Sequence, residues 1–302
     1  MKRKFQELSA VLIILFLYLG IFIKPELIIE SGISSINIFK TKLFPSIFPF
    51  FLLANLILEL GFANKISEKL NLIVKKLFHV AGISSFIIII SIISGFPSGS
   101  SYISSCYKNK LINKETANYL LTFTHFANPL FILGTCNLVL NNMNIAYKIL
   151  IIQIIANIIL GMILRPKEII NFKTSNNYNS SLLEALPKAI TKAINLLLFM
   201  LGSITFFMFF SKLLSEFLNL NAYFTVIMTG ILDLTSGISM VNTLELNQDL
   251  IGLIILSFIT FGSFSVHIQV INNIKEQDLS YKYFFLGRII ETAIAISLYL
   301  IF

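Results

Sequence analysis

The sequence predicts an all-α polytopic membrane protein built as two inverted-topology repeats with broken or re-entrant helices. Composition is the first reason. Of 302 residues, 56% are hydrophobic and 13% are charged, about half the charged fraction of an ordinary soluble domain. The second reason is a pair of interrupted apolar segments. Residues 94–101 read Ser-Gly-Phe-Pro-Ser-Gly-Ser-Ser directly after the apolar run Ser84–Ile93, which joins helix breakers to hydroxyl side chains. A second break, Asp233-Leu-Thr-Ser-Gly-Ile-Ser239, lies in the other half of the chain. Backbone freed from helical pairing at membrane depth is costly unless it lines a cavity or is buried in protein. Paired breaks in corresponding halves therefore point to a binding site near the bilayer midplane, as in secondary transporters.

The elements follow in order. Met1-Lys2-Arg3-Lys4 precedes an apolar run over 8–23. Ile21–Glu26 offers no small-residue cleavage site, so this reads as an uncleaved first helix with its basic end cytoplasmic. Residues 1–42 form that helix and an interfacial segment. Residues 43–165 form the first repeat. It holds an apolar helix over Leu43–Leu60, an amphipathic stretch with Lys65, Lys69 and Lys76, and the Gly95–Ser101 break with a helix restarting over Ser100–Lys108. A helix over Lys114–Ala127 then stops at Phe126-Ala-Asn-Pro129, and a span over 145–164 closes the repeat. Residues 166–187 form a polar linker, clearest over Arg165–Ser181. Residues 188–302 repeat the order: an apolar helix over Asn195–Phe210, the Thr235–Gly237 break, Thr260–Ser265, and a closing span over Phe284–Phe302.

The net charge of +8 sits in short segments, as cytoplasmic loops and contact with anionic headgroups require. It also offers attraction to an anionic solute. No nucleic-acid motif is present. Cys106 and Cys136 show neither metal spacing nor a CxxC motif and read as small packed hydrophobes. No HExxH, GxSxG, Walker A loop or paired-carboxylate spacing appears, so no enzyme, cofactor or metal site is expected.

The candidate solute contacts lie at the breaks. Gly95 and Gly99 flank Pro97 and allow close backbone approach. Ser98 and Ser100 bring hydroxyls, and the restarting helix aims free N–H groups at the break, which suits an anionic group. Thr235, Ser236 and Gly237 do the same from the other repeat, so two facing helix ends would suit a carboxylate. Asn128 precedes Pro129 and its amide both donates and accepts. Ser263 and Gln269 follow the later break as neutral contacts. Asp233, an acid within the apolar run Phe224–Ile238, is a candidate to bind a coupling H⁺ or Na⁺, or to cap the unwound segment. His125 is a second coupling candidate because imidazole titrates near neutrality. Arg288 and Glu291, three residues apart, are expected to pair, and Glu59 to pair with Lys65.

Five pieces carry a family resemblance: Leu43-Phe-Pro-Ser-Ile-Phe-Pro-Phe-Phe51, Ser94-Gly-Phe-Pro-Ser-Gly99, Phe126-Ala-Asn-Pro-Leu-Phe-Ile132, Leu232-Asp-Leu-Thr-Ser-Gly237 and Phe261-Gly-Ser-Phe-Ser-Val-His-Ile-Gln269. Together they resemble the YlbJ (SpoVV) family of sporulation integral membrane proteins, within the nucleoside-recognition (Gate) domain group. The resemblance implies a fold related in plan to concentrative nucleoside transporters, with both repeats Gate-like. It also implies a role in moving dipicolinic acid, a small planar dianion, across the outer forespore membrane. A nucleoside or other neutral polar solute is the alternative cargo, and a non-transporting assembly protein, with a homo-oligomer as one form, is the alternative class. Two departures stand out. Members of the family it resembles commonly carry a Lys in a Gly-Ala-Lys sequence where this chain has Gly99-Ser100-Ser101, and Asp233 stands where an acid at the second break is usually Glu.

Overall fold

The computed structural model describes residues 2–80, 82–170 and 181–302; positions 171–180 of the expected linker lie outside them. In the first half, α1 (Lys2–Ile23) leads through Lys24 into α2 (Pro25–Ile38), and a π-helical turn carries α2 into α3 (Phe44–Glu59). Gly61 and His79, both left-handed, bound the amphipathic α4 (Phe62–Phe78). Next come α5 (Ser84–Ser94), α6 (Ser98–Lys108), α7 (Lys114–Phe123), the short α8 (Pro129–Phe131) and α9 (Asn137–Leu140), and then α10 (Met143–Ile163). The second half holds α11 (Leu182–Leu218), α12 (Ala222–Leu232), α13 (Leu234–Met240), α14 (Gln248–Phe261), α15 (Ser263–Ile274) and α16 (Tyr281–Ile301). Among the described residues, five stretches are long and apolar enough to cross a membrane: Pro25–Glu59, Met143–Ile163, Leu182–Leu218, Gln248–Gln277 and Tyr281–Ile301.

Some boundaries differ from the sequence reading. Helix α11 begins at Leu182, inside the span read as linker, because Ser181 and Glu184 form a capping box there. Helix α6 starts at Ser98 rather than Ser100, and α7 ends at Phe123 rather than Ala127. Residues 124–128 are unwound.

Helices α5, α6 and α12 have eleven residues each. At 1.5 Å per residue each is ~16 Å long, about half of the hydrocarbon thickness. None crosses alone. Instead α5 folds back on α6 through Gly95-Phe96-Pro97, and the Ser94 and Ser98 hydroxyls meet at 2.6 Å across the turn. Likewise α12 folds back on α13 at Asp233, whose backbone is extended. Gly237 lies directly on the Gly230 backbone, leaving no room for a Cβ, so small residues let the two arms touch.

The two hairpins open at opposite ends of α11. Cys106 and Asn109, near the end of the α5–α6 hairpin, sit beside Glu59 and Lys192, which pair at 2.5 Å. Glu59 thus takes Lys192 of α11 as its partner and not the expected Lys65, because α3 packs along α11. Ser239 and Met240, at the end of the α12–α13 hairpin, sit beside Lys212 and Glu216. There Lys24 pairs with Glu216 at 2.8 Å and Lys212 with Glu30 at 3.3 Å. Positions 192 and 216 lie between six and seven helical turns apart, ~36 Å along α11.

Candidate solute-binding site

The unwound segment 124–128 is where the backbone has most to satisfy, and α10 supplies the partners. The Ala127 N–H donates to Gln153 Oε1 at 3.0 Å, and Gln153 Nε2 returns a bond to the Ala127 carbonyl at 3.3 Å. Asn157 Nδ2 donates to the His125 carbonyl at 3.0 Å. From the first hairpin, the Phe96 N–H donates to the Phe126 carbonyl at 2.6 Å. Asn128 closes the arrangement. Its Oδ1 accepts from the Leu130 and Phe131 N–H groups at 2.9 and 3.1 Å, and its Nδ2 donates to the Ile93 carbonyl at 3.0 Å. Broken backbone at membrane depth is therefore paired internally.

The tips of both hairpins border one cavity of about 30 Å³, room for one or two water molecules. Phe96 comes from the first tip, and Asp233, Leu234 and Thr235 come from the second. Asn128 contributes from the unwound segment, Phe131 from α8, Ser265, Val266 and Gln269 from α15, and Leu43, Ile47, Met200 and Ile204 from α3, its preceding turn and α11. The acid Asp233 is fully buried. Its Oδ2 accepts from the Ser236 N–H at 2.9 Å and the Ser236 hydroxyl at 2.7 Å. Its Oδ1 makes no hydrogen bond among the described residues, although the Ser265 hydroxyl and the Thr235 N–H also lie by the carboxyl group. Gln269 donates through Nε2 to the Ser203 hydroxyl at 2.8 Å, and its Oε1 is likewise unpartnered. Both open atoms are acceptors when the acid is ionised.

The sequence-selected residues divide accordingly. Asn128, Asp233, Thr235 and Gln269 share the central cavity. Pro97, Gly99, Ser100 and His125 border a separate space of about 10 Å³, with the His125 ring stacked on Phe96 at 4.6 Å. Ser236 lines a groove on the other side of α13. Four others serve the backbone. Gly95 has a positive φ of 76° and lies against Asn128, the Ser98 hydroxyl bonds the Gly95 carbonyl, Ser263 bonds the Gly230 carbonyl, and Gly237 seals the second hairpin. Of the two helix starts expected to face a solute carboxylate, that of α13 is occupied by the Asp233 side chain, whereas α6 starts behind Pro97 with no side-chain cap.

Sequence reasoning did not select Phe96, Ser265 or the apolar wall. Phe96 and Ser265 lie inside the motifs already singled out, whereas Met200 and Ile204 look like any other residues of an apolar span. Next to Asn157, Arg288 and Glu291 pair as expected, both with no exposure. Arg288 also donates to the Thr122 carbonyl at 2.8 Å, the Thr260 carbonyl at 3.4 Å and Asn157 Oδ1 at 3.4 Å, and Asn157 Nδ2 donates to Glu291 Oε1 at 2.6 Å. One guanidinium thus gathers the C-terminal ends of α7 and α14, where carbonyls carry the negative pole of each helix.

Membrane-length helices, two half-length hairpins and a buried acid between their tips define a polytopic helical integral membrane protein with a central, largely apolar cavity that holds a few polar groups. Among known proteins, the chain is similar to the sporulation integral membrane protein YlbJ of Bacillus subtilis strain 168. The two are 25% identical over 318 aligned positions, covering 92% of this chain and 78% of that protein. The YlbJ-family resemblance carried by the motifs thus extends along nearly the whole chain. No family model matches the chain, and no solved structure matches it.

Proposed function

We propose that this protein is a permease of the forespore envelope that carries a small polar solute through the cavity between its two hairpin tips. The carrying observation is the meeting of Phe96 and Asp233, from hairpins entering at opposite ends of α11, in one buried cavity. In this reading residues 43–165 and 188–302 are inverted repeats of the Gate type, related in plan to concentrative nucleoside transporters. Their neighbour relations support it. Helix α5 packs on α6 as α12 does on α13, α6 on α7 as α13 on α14, and α7 on α16 as α14 on α10.

Dipicolinate, crossing the outer forespore membrane, is the cargo that the family resemblance implies. Among the described residues no lysine or arginine lines the cavity, so a carboxylate there needs a donor, and protonated Asp233 is one. Anion movement would then be tied to a proton. A second reading is favoured by the two open acceptors. With Asp233 ionised, Oδ1 and Gln269 Oε1 suit a neutral solute with hydroxyl or N–H donors, such as a nucleoside, or a Na⁺ ion. Uptake of labelled dipicolinate and of uridine into proteoliposomes decides between them. Saturable dipicolinate flux that rises with an inward proton gradient supports the first reading, and uridine flux alone supports the second. Flux of neither moves the protein to a membrane-assembly role.

Asp233→Asn removes the titrating group while keeping its shape. It is expected to abolish the pH or Na⁺ dependence of flux, measured over pH 5.5–8 with and without Na⁺. An unchanged dependence would leave Asp233 as a cap for α13.

A further inference from the structure

We infer that the groove between α2, α11, α12 and α13 is a water-filled vestibule on the non-cytoplasmic face, separated from the central cavity by α13. The inference deepens the permease reading and rests on it for its purpose. The groove holds about 780 Å³ and is lined by Ser34, Asn37, Ser215, Thr225 and Ser239, with Ser236 at its inner wall. Hydroxyl and amide groups concentrated between membrane helices mark a surface that faces water or protein rather than lipid. Ser236 shows how thin the partition is, since it borders the groove while its N–H and hydroxyl hold Asp233, which borders the central cavity.

Access is one-sided. At the opposite end the space beside Cys106 is only about 10 Å³, bordered by Glu59 and Lys192. A larger groove there, about 640 Å³, is lined by Lys114, Glu115, Asn118 and Thr122 beside Leu164, Leu286 and Ile290, and it shares no residue with the central cavity; Thr122 and Gly287 pack backbone to backbone in it. Charge gives the orientation. Lys65, Lys69, Lys75 and Lys76 of α4, with Lys108 and Arg165, cluster at the Glu59–Lys192 end, and a basic excess marks the cytoplasmic face. The vestibule therefore opens on the other side.

Adjacent residues of α2 test this. Ser34 lines the groove, whereas Ile33 is exposed outside it; both lie ~15 Å along α2 from Lys24. Cys106 and Cys136 are buried and give a low background. Full-length Ser34→Cys, Ser239→Cys and Ile33→Cys variants are treated with a charged, membrane-impermeant methanethiosulfonate in right-side-out and inside-out vesicles. Ser34→Cys and Ser239→Cys are expected to react in right-side-out vesicles at least tenfold faster than Ile33→Cys, whose thiol stays protonated in lipid. Ser34→Cys reacting as slowly as Ile33→Cys overturns the vestibule. Reaction confined to inside-out vesicles overturns its orientation. Labelling needs no solute, so intact labelling without dipicolinate or uridine flux counts against the permease reading alone.

Discussion

On the permease reading, replacing Gly99 by leucine is expected to abolish solute flux. A Cβ at position 99 would run into the Thr124 carbonyl oxygen and come within 3.0 Å of the Ser91 hydroxyl. The first obstacle is backbone of the unwound segment and the second is the opposite arm of the same hairpin. Neither yields cheaply, so α6 must move away from both, and Phe96 moves with it. Overpacking a dense interior costs about 1–3 kcal/mol for added methylenes, and leucine at a backbone contact lies at or above that range. Gly99→Ala is the milder arm, expected to lower flux at least tenfold while the protein still purifies as a folded species. Gly202→Leu is the control, because nothing lies within 4 Å of its Cβ position. Proteoliposome flux and thermal unfolding in detergent report the two effects separately. Wild-type flux in Gly99→Leu would remove the first hairpin from the transport pathway.

Arg288→Met or Glu291→Leu alone is expected to destabilise the protein by about 3–5 kcal/mol, the usual loss when one member of a buried ion pair is left uncompensated. Both side chains have no exposure. Removing the acid strands a guanidinium among the carbonyls of Thr122 and Thr260, and removing the base strands a carboxylate beside Asn157. The double variant Arg288→Met/Glu291→Leu is expected to recover most of the loss, since an apolar pair of similar volume needs no counterion. A double-mutant cycle on unfolding midpoints measures the coupling. Single variants as stable as the parent would mean that the pair does not hold the ends of α7 and α14 together.

Much of this was legible in the sequence because membranes penalise broken helices and charges so heavily. The two breaks, the buried acid at 233 and the Arg288–Glu291 pair all violate the apolar pattern, and each violation marked a place where structure had to compensate. The length of Ser84–Ile93, too short to span, carried the re-entrant geometry as well. The compensating partners were harder to see. Gln153 and Asn157 are two polar residues four apart in an otherwise apolar span, a signal present in the sequence and passed over. Lys192 as the partner of Glu59 could not be read locally, because the contact joins α3 to α11 across 133 positions. The helix-end expectation divides between the breaks for a chemical reason: Asp233 spends its own Oδ2 on the Ser236 N–H at the start of α13, whereas α6 follows Pro97 and carries no side-chain cap.

If the two hairpins enter from opposite faces, as the permease reading has it, each reaches only ~16 Å inward and Asp233 sits at about half of the electrical distance across the bilayer. A monovalent ion drawn to it from either face would traverse roughly half of the membrane field, worth about 1.1 kcal/mol per 100 mV. The same voltage that loads the site from one side hinders loading from the other. On the proposed permease reading, a cell's resting potential alone would therefore bias which hairpin parts first, and so give direction to transport through two repeats of like plan.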